Sequence, residues 1–374
     1  MKAIKNAKIV LPDRILEGKT LMIERDRISE FRNDTESIDD AESITNAQGK
    51  FLMPGFIDIH SDRMEQFMMP CSTARVSMEL ALKECERELL LQGITTVYHS
   101  LPLYKDELLK NMQGRYHLIH HKFHIRLEID NMEAFPIVRK LIEQKKIHEI
   151  SFMDHTPGQG QYRKLEVHHE TVRNYGGKES MPMNMNEIMA YHQSQKTLST
   201  RQLKLLAELA HQNNVTVASY HDDSLQKLEL NKELGVDICV FPVKIETARY
   251  ARMLGFKTVA GATDILLGGS HSGNMSALEA ILEDCADILC SDYYPPAILH
   301  SIFIMWKDYG KDLPEMVCKA TKNPAIAVGI DKDYGTIEAG KKADLILVEQ
   351  LDGYPVITQT LVDGMTTASL VYRR

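Results

Sequence analysis

The sequence predicts an α/β protein: a (β/α)8 barrel of the TIM type carrying a small β-sandwich built from both chain termini. Three observations lead there. Eight short apolar runs recur through the middle of the chain, helical periodicity separates many of them, and alternating strand-and-turn patterns occupy the two ends. At 374 residues there is room for one large domain and a small accessory one.

The first fifty residues read as short strands with turns: "AIKNAKIVLP", "KTLMIERDRISEFR", then the acidic "NDTESIDDAES". The far end, "YGTIEAGKKADLILVEQ" and "PVITQTLVDGMTTASLVYRR", has the same alternation broken by Gly and Lys turns. A few strands cannot bury a sheet face alone, so the two ends are expected to pair. That assigns 1–53 and 335–374 to the sandwich and 54–334 to the barrel.

The eight runs are "FIDIH", "ITTVYHS", "HIRLEID", "EISFMDH", "VTVASYHDD", "VDICVFP", "FKTVAGA" and "ADILCSDYYP". Between them, Leu82, Cys85 and Leu89 fall on one helical face, and Leu203, Leu206 and Leu209 repeat the pattern after a Ser199–Thr200 cap. The polar stretch of about 158–200 is too long for an ordinary strand-to-helix connection; such loops are lids or disordered, and its start beside a candidate site residue favours a lid.

A hydrophobic fraction of 44% with 26% charged residues excludes disordered and collagen-like classes. The net charge of −8 provides no basic field for nucleic acid, so an anionic ligand would need a local pocket. Cys71, Cys85, Cys239, Cys285, Cys290 and Cys318 lack CxxC spacing, which fits reduced thiols and argues against a cysteine zinc site. The N-terminus lacks the apolar core of a signal peptide, and no stretch approaches the ~20 apolar residues of a membrane span. The expectation is a cytoplasmic protein with a small-molecule ligand and neither a nucleic-acid nor a membrane partner. The sequence leaves a homo-oligomer open.

In such barrels, side chains at the C-terminal strand ends converge on one mouth. The stretch "PGFIDIHSDRME" puts His60 and Asp62 there. Glu128 lies in the third strand, His155 follows the fourth, His221, Asp222 and Asp223 follow the fifth, and Asp292 follows the eighth. Singly, each has an ordinary explanation: a hydrogen-bonded histidine, a turn cap at Asp292, an ion pair of Glu128 with Arg126 or Arg139. Recurrence of nitrogen and carboxylate donors at one structural position points instead to divalent cations. Imidazoles suit zinc, and carboxylates favour harder ions such as manganese or iron(II). One or two such ions would make hydroxide available at neutral pH, with Asp292 ligating a metal and accepting the water's proton.

A second motif, "GGSHSGN", stands at the end of the seventh strand. Its glycines allow close backbone approach, and Ser270, His271, Ser272 and Asn274 can donate to phosphoryl oxygens; a tight turn is the structural alternative. "ATKNPA" adds Lys319 and Lys322 near the last barrel helix, where surface solvation is the commoner role for either lysine alone. In the stretch expected to be a lid, "GQGQY" contains Gln159 and is followed by Arg163 and Lys164, further candidate donors.

The N-terminal strands, "LMPGFIDIH", the strand-end donors and the closing "GTIEAGKKADLILV" together resemble the amidohydrolase superfamily of metal-dependent hydrolases over nearly the whole chain. Within it, "HSD" in place of the common HxH, "FMDHTPGQGQY", "SYHDD", "GGSHSGN", "SDYYPPA" and "TKNPA" resemble the PhnM type. These are diphosphatases of the carbon–phosphorus lyase pathway, similar members of which act on α-D-ribose 1-methylphosphonate 5-triphosphate. The resemblance implies hydrolysis of a phosphoric anhydride with release of pyrophosphate from a phosphorylated sugar. It implies metal roles for His60, Asp62, His155, His221 and Asp292; because no lysine stands at the end of the third or fourth strand, Glu128 is the candidate for the bridging carboxylate. His271, Arg163 and Lys164 would neutralise the leaving pyrophosphate. The chain departs from the type after the first strand, where Arg63 and "MMPCSTARV" stand.

Two other functions compete. A hydrolase or deaminase acting on a cyclic amide or heterocycle is the commoner work of the superfamily and predicts a pocket with few anion donors. A non-catalytic binding or assembly protein would be expected to have lost several of the metal donors.

Overall fold

The computed structural model describes residues 1–71, 73–102, 116–154, 196–270 and 273–373. The chain opens with β1 (Lys2–Lys5), β2 (Lys8–Val10), β3 (Ile15–Leu16), β4 (Lys19–Glu24), β5 (Arg27–Asn33), β6 (Ser43–Asn46) and β7 (Phe51–Pro54). The middle contributes β8 (Phe56–Ser61), β9 (Ile94–Pro102), β10 (His120–Glu128), β11 (Glu149–Met153), β12 (Thr216–Tyr220), β13 (Ile238–Val240), β14 (Lys257–Gly261) and β15 (Ile288–Cys290). The end adds β16 (Leu345–Leu351), β17 (Tyr354–Val362) and β18 (Met365–Ser369).

The two ends of the chain share the accessory sheets, as their patterns predict. One sheet runs β5-β4-β1-β6; the other runs β18-β17-β16-β7-β2-β3, with β7 and β16 paired antiparallel. Neither terminal segment could bury its apolar face alone. Together Ile4, Ile9, Leu21 and Ile23 from the start meet Leu345, Leu347 and Leu361 from the end in one core.

The middle strands form one parallel sheet in sequence order, β8 to β15. A backbone bridge between Ser61 and Asp292 joins its two ends. There Asp62 N donates to the Asp292 carbonyl at 2.8 Å, and Asp292 N donates to the His60 carbonyl at 3.2 Å. Just below, the buried Asp58 carboxylate accepts from Ser291 N at 3.0 Å and from the Ser291 hydroxyl. These bonds close the barrel and bring residues far apart in sequence to one point on its mouth.

Helices cover the outside. Met78–Leu91 buries Leu82, Cys85 and Leu89. Thr200–Gln212 begins at a reciprocal cap between Ser199 and Gln202 and buries Leu206, with Leu203 and Leu209 packed partly against the core. At the opposite end from the mouth, the helix Lys322–Ala327 packs Ala325 against the barrel's interior cluster. One expectation needs adjustment. β10 begins at His120, not His124, because the polar "HHK" pairs with β9 although it lacks an apolar pattern. The stretch expected to be a lid, about 158–200, lies as far as residue 195 outside the described residues. Among the described residues no helix is long and apolar enough to cross a membrane.

Candidate metal centre

His60 is next to last in β8 and only 3% exposed. Its ring is packed by His124, Tyr220 and Phe241, with centroids at 5.6, 5.3 and 5.4 Å. The Tyr220 hydroxyl hydrogen-bonds to Nδ1. This leaves Nε2 facing two carboxylates, Asp62 Oδ1 at 3.8 Å and Asp292 Oδ1 at 3.6 Å. One ligand atom from each of the three residues lies within 4.8 Å of the others. Donors on a tetrahedral ion with bonds of about 2.1 Å stand about 3.4 Å apart, so the set fits a divalent cation after small adjustments. With a metal on Nε2, the Nδ1–H would donate to the Tyr220 oxygen and fix the ring's tautomer.

The backbone turns sharply at these strand ends. His221, Phe241 and Asp292 have φ of 49°, 53° and 57°, a region that residues other than glycine seldom occupy. All three line one cavity, with Ser270, Asn274 and Asp264 on its other walls. Strain of this kind is retained where side-chain placement matters.

The charges around the cluster are mixed. Arg126, on β10, donates through Nη1 to both Asp62 oxygens at 3.3 Å and through Nη2 to Glu65 at 2.8 Å. Burial alone would weaken the guanidinium's hold on its proton, but Asp62 and Glu65 outweigh it and the net shift is upward. Glu65 is raised by burial despite that partner. Burial pushes Asp264 up to about 7, and the charge of Asp292 adds to it. Burial, then the charges of His60 and Arg126, hold His124 well below the ordinary imidazole value, so it packs under His60 as a neutral ring.

The structure thus brings His60, Asp62 and Asp292 together, with His221, Ser270 and Asn274 around the adjoining cavity. Glu128 ends β10 but is not part of the three-donor cluster. His155, Gln159, Arg163, Lys164, His271 and Ser272 lie outside the described residues. Gly268 caps the short helix Thr263–Leu267, so the glycine motif starts one helical turn after the seventh strand and not at its end.

Two candidates are corrected. Lys322 sits at the wrong end of the barrel: the neighbouring Ala320 carbonyl accepts from Ile57 near the start of β8, and Asn323 donates to the Asp287 carbonyl just before β15. Asp222 is fully buried and holds Ser219, Asn231 and Cys239, a structural role. Sequence reasoning missed Tyr220 and the contact of Arg126 with Asp62. The available signal for Arg126 was its two-residue spacing from Glu128, which places both on one side of a strand.

A barrel with an imidazole–carboxylate cluster at the C-terminal strand ends defines a metal-dependent hydrolase architecture, and the comparisons agree. Residues 51–368 match the Amidohydrolase family, and the chain belongs to that family. Over 372 residues it is 30% identical to the α-D-ribose 1-methylphosphonate 5-triphosphate diphosphatase of Escherichia coli (strain K12), covering 94% of this chain and 96% of that protein. The resemblance to the PhnM type is therefore borne out. Among solved structures, the L-hydantoinase of Arthrobacter aurescens superposes with a TM-score of 0.68 at 16% identity, covering 99% of this chain and 97% of that one. The N-acetylglucosamine-6-phosphate deacetylase of Pasteurella multocida gives 0.65 at 14%, covering 97% and 98%. At such identities these two share the fold.

Proposed function

We propose that the protein hydrolyses a phosphoric anhydride and releases pyrophosphate from α-D-ribose 1-methylphosphonate 5-triphosphate. The observation that carries the proposal is the His60–Asp62–Asp292 cluster beside a cavity that also presents Ser270, Asn274 and His221. The near full-length similarity to the Escherichia coli diphosphatase supports the choice of substrate.

A bound divalent cation would supply Lewis acidity and an acidified water. With one imidazole nitrogen and two carboxylates, the described donor set favours manganese or iron over zinc. The chain's own residues do the rest. Asp292 accepts the proton of the attacking water, His60 is kept in one orientation by Tyr220, and Ser270 and Asn274 donate to phosphoryl oxygens. Arg126 offsets the negative charge of Asp62 and Glu65, so that the site does not repel an anionic substrate. The roles expected of Glu128, His155, Gln159, Arg163, Lys164, His271 and Ser272 belong to the same proposal.

Asp292→Asn tests it. Turnover of the ribose triphosphate should fall by about a hundredfold or more, the usual size of a lost general base. Near-native turnover with full metal content would remove Asp292 from proton transfer.

A further inference from the structure

At the opposite end of the barrel from the metal cluster lies a cavity of about 460 Å³, a size that admits a small molecule. Lys122, Lys145, Lys146 and His148 line it. Lys122 is in the first half of β10, and six residues of strand put it about 20 Å from Glu128 at the mouth. Lys145 and Lys146 follow the helix Ala134–Glu143, where Lys145 adopts φ of 54° and its N–H closes on the Ile142 carbonyl at 2.9 Å. That turn sets two consecutive lysines on the rim.

The charge of the pocket's lysines is uncompensated, whereas its lining histidines His117 and His121 face Glu86. Among the described residues no carboxylate stands within ion-pairing distance of Lys122, and burial alone lowers the pKa of its amine. A half-buried ammonium without a partner is unfavourable, and an anion would relieve it. Of the lining residues only Asp363 is acidic, and Lys342 engages it at 2.8 Å. His120, also on the wall, faces Asp344 at 3.1 Å. His148 contributes differently. Its Nδ1 accepts the Phe123 N–H at 3.2 Å, so in the neutral ring the proton sits on Nε2 as a donor. Burial and the charge of Lys122 hold that ring's pKa down to about 4, so it stays neutral near pH 7. Lysines at a helix C-terminus have an ordinary role with the helix dipole, which accounts for Lys145 and Lys146 but not for Lys122 or His148.

We infer that this pocket is a second ligand site, which binds a small phosphate-bearing anion through Lys122, Lys145, Lys146 and His148. Flexible ammonium groups act as point charges for phosphoryl oxygens, and a neutral ring N–H adds a directional donor. In a chain of net charge −8, a compact patch of three lysines favours a small multivalent anion over a polymer that needs a track. The inference does not depend on the reaction proposed above.

The test is calorimetric titration of the full-length protein at low ionic strength with inorganic pyrophosphate, and separately with inorganic phosphate. Lys122→Met and the rim variant Lys145→Ala/Lys146→Ala should each weaken one binding event by about tenfold, the effect of losing a charge-assisted contact. Asp292→Asn, at the far mouth, should retain that event. The rim variant keeps the test open if Lys122→Met fails to fold. Tighter binding of pyrophosphate identifies a polyphosphate ligand, and equal binding identifies a single phosphoryl group; both support the site. Binding of neither anion, or isotherms unchanged in both lysine variants, overturns it. Turnover of the triphosphate, measured in parallel, separates this outcome from that of the proposed reaction.

Discussion

Replacing Tyr220 by Phe isolates one hydrogen bond beneath the metal cluster. Tyr220 is 3% exposed, and its hydroxyl is the hydrogen-bonding partner of His60 Nδ1. Removing it leaves a buried ring N–H unsatisfied when Nε2 holds a metal, a loss of about 1–3 kcal/mol. Outer contacts to metal-bound histidines usually contribute about tenfold to a hundredfold in affinity, which spans the same energy. The three ring contacts to His60 limit the damage, since His124, Phe241 and the remaining Phe ring still hold the imidazole plane. We therefore expect the low end, about tenfold weaker metal binding. A competition titration against a chelator of known affinity measures it, with urea unfolding of the metal-free protein as the control for fold. Unchanged metal affinity in a folded variant would refute the positioning role of Tyr220.

Arg126→Met leaves the partly buried Asp62 and Glu65 without their shared cation; it should destabilise the protein by about 1–3 kcal/mol in urea unfolding. Retained stability would show that solvent already screens both carboxylates. Glu149 is 1% exposed inside the barrel, and neither of its oxygens makes a hydrogen bond. Burial pushes its pKa well above 4.5, so its contribution to stability is complete below 4.5 and is lost as pH rises toward the raised value. Glu149→Gln should remove that part of the pH dependence and be relatively more stable than the wild type at alkaline pH. Parallel stability–pH curves for the two proteins would contradict it.

Much of this was legible in the chain. The parallel strands could be read because burial on both faces leaves near-continuous apolar runs, of which "VDICVFP" and "ADILCSDYYP" are examples. His60 and Asp62 could be read because they leave one strand together. Their third companion was visible only as a candidate, since it is the closure of β8 on β15 that carries Asp292 to them. Tyr220 was passed over because an aromatic at a buried strand position is ordinary core, and only the approach of His60 from another strand gives its hydroxyl a task. Lys322 misled for a related reason: the number of residues after the last strand does not say which end of the barrel a helix caps, and Ala325 packs into the end away from the mouth. Asp222 shares the strand end of His221, but its carboxylate is consumed by Ser219, Asn231 and Cys239.

The most direct measurement is pyrophosphate release by the manganese-loaded protein, with α-D-ribose 1-methylphosphonate 5-triphosphate, ATP and a set of cyclic amides as separate substrates. The account predicts metal-dependent release from the ribose triphosphate, little from ATP, and no amide turnover. Turnover of a cyclic amide with no pyrophosphate from either triphosphate would contradict it.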